Sequence, residues 1–253
     1  MQQLKIDRMI YGVDDKSKTY QILRRNPNWK KLSQAENEKN KKHIDGYTRQ
    51  LLDKRKMQYH EPKKLLVQLL RENPKILLKN LASENTILKY SSQKALMQMA
   101  KTNPAKIYPY FDEFVGQLSS KNNFIKWGAI RVIADLVPVD KAKKFDKVFK
   151  KYYSLILDKS MVAASNVVAS SGVILQARPD LSKRIFAEIF KFKKGHYTKE
   201  CKNIITGHLI KMLDLAKIKP DKMLLDFVKQ AAKNTRHATA VKARKYLGEL
   251  SKK

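Results

Sequence analysis

Residues 125–136 read IKWGAIRVIADL, and their spacing decides the fold class. Ile125, Gly128, Ala129, Val132, Ile133 and Leu136 recur at i, i+3, i+4, i+7, i+8 and i+11. That is one face of an α-helix, and it is built of small and aliphatic residues.

The same face returns along the chain. It is carried by Leu88, Ser91, Ser92, Ala95, Leu96 and Met99, then by Ala164, Val167, Val168, Ser171, Gly172 and Leu175. It returns in Cys201, Ile204, Ile205, His208, Leu209 and Met212, and more weakly in Ala240, Ala243, Arg244, Leu247 and Gly248. The lead positions 88, 125, 164, 201 and 240 are 37, 39, 37 and 39 residues apart. A helical face that also keeps a period is the signature of a repeat.

Each small-residue helix is followed by a break and a second helix with larger apolar residues. The breaks hold Asn103-Pro104, Pro138, Arg178-Pro179-Asp180 and Lys219-Pro220-Asp221. Proline fits the first turn of a helix and stops the one before it. The second helices carry Phe111, Phe114 and Leu118, then Phe145, Phe149 and Tyr152, then Ile185, Phe186 and Ile189, then Leu224, Phe227 and Val228. Small residues let first helices approach closely, and aromatic second helices fill the space behind them. Residues 62–81 read as a shorter opening pair broken at Asn73-Pro74.

On these residues the chain resembles the HEAT/armadillo α-solenoid family over roughly residues 62–251. The resemblance implies an all-α, right-handed α-α superhelix of about five to six helix pairs. It also implies protein or nucleic-acid binding along an inner surface formed by the second helices. Fold alone does not fix function.

Two regions are therefore expected. Residues 61–253 form the repeat domain. Residues 1–60 form a basic extension in which Ser33-Gln34-Ala35-Glu36 opens a helix to about Lys56, as a cap or as a partner-ordered arm. A short helix is also expected at Lys16–Leu23, after Asp14-Asp15.

The 253 residues carry a formal charge of +31. Residues 1–60 hold 15 Lys/Arg against 7 Asp/Glu, and the remainder 39 against 16, so the charge is spread over the fold. Such a field captures polyanions. Of the basic residues 11 are Arg and 43 Lys, which favours loose phosphate contact over forked recognition. A lysine-rich genome would produce the same excess. The densest run is Lys143, Lys144, Lys147, Lys150 and Lys151. Lys183, Arg184, Lys191, Lys193 and Lys194 follow in the next pair. Arg24, Arg25, Lys30 and Lys31 make an N-terminal candidate. The expected partner is nucleic acid or a ribonucleoprotein, with an acidic protein as the alternative.

Catalytic motifs are missing from the sequence. The eight glycines are isolated, so no phosphate-cradling loop can form. The five histidines and one cysteine show no metal-ligand spacing, so no metal or other cofactor is expected. Cys201 and His208 share a helical face, but they fall in the repeat's buried columns and read as core. An alkylpurine DNA glycosylase on a similar fold is a minor alternative. It needs an aromatic surface and a carboxylate in a concavity, for which Trp127 is the available aromatic. The single cysteine, the absence of a signal-like start and the lack of a long apolar run point to a cytoplasmic or nuclear protein. The oligomeric state is not legible.

Overall fold

The computed structural model describes the backbone of residues 2–6, 9–14 and 19–25, and residues 65–218 and 220–251 with their side chains. The chain divides into two units, Met1–Lys64 and Leu65–Lys253.

In the first unit, β1 (Gln2–Ile6), β2 (Met9–Asp14) and β3 (Thr19–Arg25) form an antiparallel sheet in the order β1-β2-β3. Ile6 pairs with Met9, and Asp14 with Thr19. This corrects the helix expected at Lys16–Leu23. The aspartates resemble a helix start, but Thr19, Tyr20 and Ile22 are β-branched or aromatic and favour an extended strand. The helix expected from Ser33 to Lys56 lies outside the described residues.

From Leu65 onward every described element is helical. After a helical segment at 65–69 come α1 (Pro74–Asn80), α2 (Thr86–Thr102), α3 (Pro104–Ile107), α4 (Phe111–Gln117) and α5 (Asn123–Leu136). Next are α6 (Lys144–Ser154), α7 (Met161–Ala177), α8 (Ser182–Ile189), α9 (Lys199–Leu215), α10 (Lys222–Ala231) and α11 (His237–Leu250). Side chains cap the starts that the sequence marks. Asn85 accepts from Leu88 N, Asn122 from Phe124 and Ile125 N, Thr198 from Cys201 N, and Asp221 from Leu224 N. Pro74 and Pro104 sit in the first turns of α1 and α3.

The small-residue helices pack on one another in sequence order: α2 on α5, α5 on α7, α7 on α9 and α9 on α11. Gly128 shows how close they come. A Cβ there would lie 1.8 Å from Nε2 of the buried Gln93 of α2. Gly207 faces Thr239 of α11 in the same way, at 2.9 Å. All six column positions of α5 and all six of α7 are buried. In α9 the column is incomplete, since Cys201, Ile204 and His208 keep partial exposure. In α11 the buried residues are Thr239, Ala240, Ala243 and Tyr246, while Arg244 and Gly248 are exposed.

The second helices supply the bulk: Phe111, Phe114, Phe145, Phe149, Tyr152, Ile185 and Leu224 are all buried. Tyr152 donates to the Ile130 carbonyl at 3.1 Å, and Tyr153 bonds Ser171 at 3.1 Å. These tyrosines therefore belong to the core and offer no stacking surface.

Side-chain bonds link one helix pair to the next. Tyr108–Asp140, Lys126–Asp158, Lys144–Asp112 and Arg178–Asp146 each span 32 residues. Among the described residues no side-chain hydrogen bond spans more than 39.

Candidate functional site

Most of the cations expected on the second helices are exposed, and Lys144 is half-buried. Phe145, Phe149, Tyr152 and Tyr153 turn one side of α6 inward, so Lys147, Lys150 and Lys151, at helical spacing, face solvent. In α8, Ile185, Phe186 and Ile189 are buried and Lys183 and Arg184 are exposed. The two helices pack together, which brings these cations onto neighbouring elements. Lys143, just before α6, is exposed and has the left-handed φ of 51°. This conformation is costly for a residue with a Cβ.

The expected set divides into tied and untied members. Lys144 is half-buried and bonds Asp112 at 2.7 Å. Arg184 lies 4.3 Å over the Phe149 ring, joining α8 to α6. Lys191 bonds Glu188 at 2.6 Å. Lys193 places its ammonium 4.7 Å from the Phe190 ring centre and 4.6 Å from that of Phe227, and burial pulls its pKa down. Lys147, Lys150, Lys151, Lys183 and Lys194 make no ion pair with a described residue. Arg24 and Arg25 end β3, and Lys30 and Lys31 lie outside the described residues.

Four acids around these helices are engaged. Asp112 holds Lys144, and Glu188 holds Lys191. Arg178 forks between Asp146 and Asp180, at 2.9 and 2.7 Å. Hydrogen bonds from Arg178 hold the Asp180 carboxyl below the usual carboxylate range. The lysine surplus is therefore not neutralised by these carboxylates.

A second basic surface was not anticipated. A groove of about 610 Å³ runs over the first helices, with Leu66, Met97, Ala169 and Val173 among its apolar walls. Lys94, Lys101, Arg131 and Asp135 also line it. Arg131 donates through Nε to Asn166 Oδ1 at 2.7 Å, and Asn166 donates to the Val162 carbonyl at 2.8 Å. A buried amide thus orients an exposed guanidinium. Burial raises the Asp135 pKa, against the opposing charges of Lys101 and Arg131. Further along, His208 has its pKa lowered by burial and then by Lys242, Lys211 and Arg131. The spacing of buried residues places Arg131 outside the core but carries no signal that Asn166, 35 residues on, would hold it.

The chemistry weighed from the sequence finds these positions. Cys201 and His208 are half-buried rather than core residues, because α11 covers α9 incompletely. His196 is exposed, its ring centre 4.3 Å from that of Tyr197. Among the described residues no group of three His, Cys, Asp or Glu is placed to hold a metal ion. Trp127 is half-buried against the core, whereas Asp135 lines the first-helix groove and Trp127 does not. Among the described residues no helix is long and apolar enough to cross a membrane. No family model, no curated protein and no solved structure matches this chain.

Proposed function

We propose that the helical unit is a HEAT-like right-handed superhelix, and that it works as a non-enzymatic binding module for nucleic acid or a ribonucleoprotein. The period of 37–39 residues and the one-pair reach of the side-chain bonds support the stacked arrangement.

One observation carries the binding reading. Lys147, Lys150, Lys151, Lys183 and Lys194 stand outward from adjoining elements, while Asp112, Asp146, Asp180 and Glu188 are already paired. A phosphate backbone neutralises such a surplus and releases its own counterions.

Fluorescence anisotropy with RNA and with duplex DNA across a salt series tests this. Binding that weakens steeply with salt is expected. Replacing Lys147, Lys150 and Lys151 by Gln should shallow the slope of log K against log salt by about 0.7–0.9 for each contact removed. No binding to either polymer at low salt ends this reading.

A protein partner is the second reading. A groove of about 990 Å³ between α8 and α10 is lined by Phe186, Phe190, Ile218, Met223 and Leu224, with Lys183 also on its wall. Met223 is 55% exposed there. Asp180 and Asp221 also line it, so it is the apolar part of a partner segment that suits this groove. A partner retained on the chain after nuclease treatment favours this reading, and loss of every partner with nuclease removes it.

A further inference from the structure

The repeat contains its own control for one lysine. Lys126 and Lys202 each stand one residue after a lead position, Ile125 and Cys201. Lys126 reaches 32 residues ahead to Asp158, in the turn before α7, at 2.8 Å. The residue 32 ahead of Lys202 is Asn234, in the turn before α11. The carboxylate that neutralises the first lysine is an amide at the second.

Around that exchange lies a pocket of about 350 Å³. Lys193, Lys199, Lys202 and Lys233 line it, and no carboxylate does so among the described residues. Its apolar lining includes Phe192 and Phe227, and Lys193 sits 4.6 Å from the Phe227 ring centre. Neutral groups fix the wall. Asn234 donates to Asn203 Oδ1 at 2.9 Å, and Asn203 donates to Thr235 Oγ1 at 3.3 Å. Glu200, next to Lys199 in sequence, is engaged by Arg236.

Four ammonium groups around one concavity repel each other, and a single carboxylate would answer only one of them. A phosphate group carries up to about two negative charges and three acceptor oxygens, enough for several lysine donors. We propose that this pocket is a phosphate-binding site, in which the ligand's phosphate takes the place that Asp158 fills for Lys126. The phosphate belongs either to a free phosphate, with up to about two charges on one group, or to a phosphodiester backbone, whose successive groups carry one charge and two free oxygens each and share the lysines between them. The site is separate from the outward face of α6 and α8 and does not depend on that face binding a polymer.

Titration calorimetry on the full chain at low salt tests it, with inorganic phosphate and with a short single-stranded oligothymidylate as separate probes. Asn234→Asp supplies the internal carboxylate, and Lys202→Gln removes a donor. Each should weaken the responding probe by about tenfold or more, the worth of a charge-assisted hydrogen bond. Lys121→Gln, at an exposed lysine in the turn before α5, makes the same change in net charge elsewhere and should stay within about twofold of the parent. The probe that responds identifies the source of the phosphate.

Three results overturn the proposal: neither probe binds the parent chain, both pocket variants bind like the parent, or Lys121→Gln weakens binding as much as they do. Thermal melting checks that the variants fold. If Asn234→Asp does not fold, Lys202→Gln decides alone. Phosphate binding that survives replacement of Lys147, Lys150 and Lys151 by Gln, when polymer binding does not, separates this site from the second-helix face.

Discussion

The turn before α7 and the turn before α11 stand in the same place ahead of their helices, with Asp158 and Asn234 each six residues before Ala164 and Ala240, and are held in opposite ways. In the first, Asp158 does several jobs. It accepts from Lys126 at 2.8 Å and from Ser160 N at 2.8 Å, and its main-chain carbonyl accepts from Tyr197 at 2.5 Å. The lysine and the aspartate are each only 14% exposed. In the second turn the work is done by neutral groups. Asn234 and Thr235 bond Asn203, and Thr239 donates to the Asn203 carbonyl at 2.9 Å. Both turns are fixed in position. Only the first uses up its cation, so the second presents lysines whose charge has no internal answer. One acid-to-amide difference separates a structural lysine from an available one.

Breaking the first turn should give the largest effect on stability. Asp158→Ala strands Lys126 and the Ser160 amide in a largely buried place, and should cost about 1–3 kcal/mol in chemical denaturation. A loss below the error of that measurement would show that the ion pair contributes nothing. Asn234→Asp works the other way. It should make the second turn resemble the first and add about 0.2–1 kcal/mol, read as a higher melting temperature. An unchanged or lower melting temperature would mean that the gain from Lys202 does not exceed the loss of the bond Asn234 donates to Asn203. Lys202→Gln in the parent should move stability by no more than about 0.5 kcal/mol, because no ion pair to a described residue is lost.

The smallest effect concerns pH. His208 lies on α9 with Lys202, and burial plus Lys242, Lys211 and Arg131 hold its pKa below the ordinary 6.5. The unfolded chain then takes up a proton that the folded chain refuses. Stability should be full above pH 6.5 and fall as the pH drops from there through the lowered folded value. His208→Gln should flatten that part of the melting profile, and an unaltered profile would remove His208 as its cause.

Much of the helical packing is legible in the sequence, because the spacing of small and apolar residues marks the buried faces. The small-residue columns of α5 and α7 are buried at every position, and the prolines fall where helices break. Pair-level facts are not legible. Spacing places Lys144 and Lys147 on the same helix, but only coordinates show that Asp112 claims the first. Arg131 turns toward Asn166 through a bond that no local pattern encodes. Periodicity also fails at the edge. In α11 the column keeps Ala240 and Ala243, but Thr239 and Tyr246 join the buried set while Arg244 and Gly248 are exposed. Near the N-terminus the pattern is too short to separate a helix from β3, and residue shape decides in favour of the strand.

Tyr197 reaching back to Asp158, 39 residues behind it, shares with Gln176 and Leu215 the longest stride of any described side-chain bond. The consequence is one of time as well as energy. A helical chain whose partners are all close in sequence need not wait for distant segments to meet, so folding should be fast and should spread outward from wherever it begins. Unfolding should retrace that order. The amides of α11, where Val241, Lys242, Arg244, Lys245 and Gly248 are all exposed, should exchange with solvent earlier than those of the buried helices. Those of α5 and α7, flanked on both sides, should exchange last. The helical unit should therefore open helix by helix, like a zip, rather than all at once.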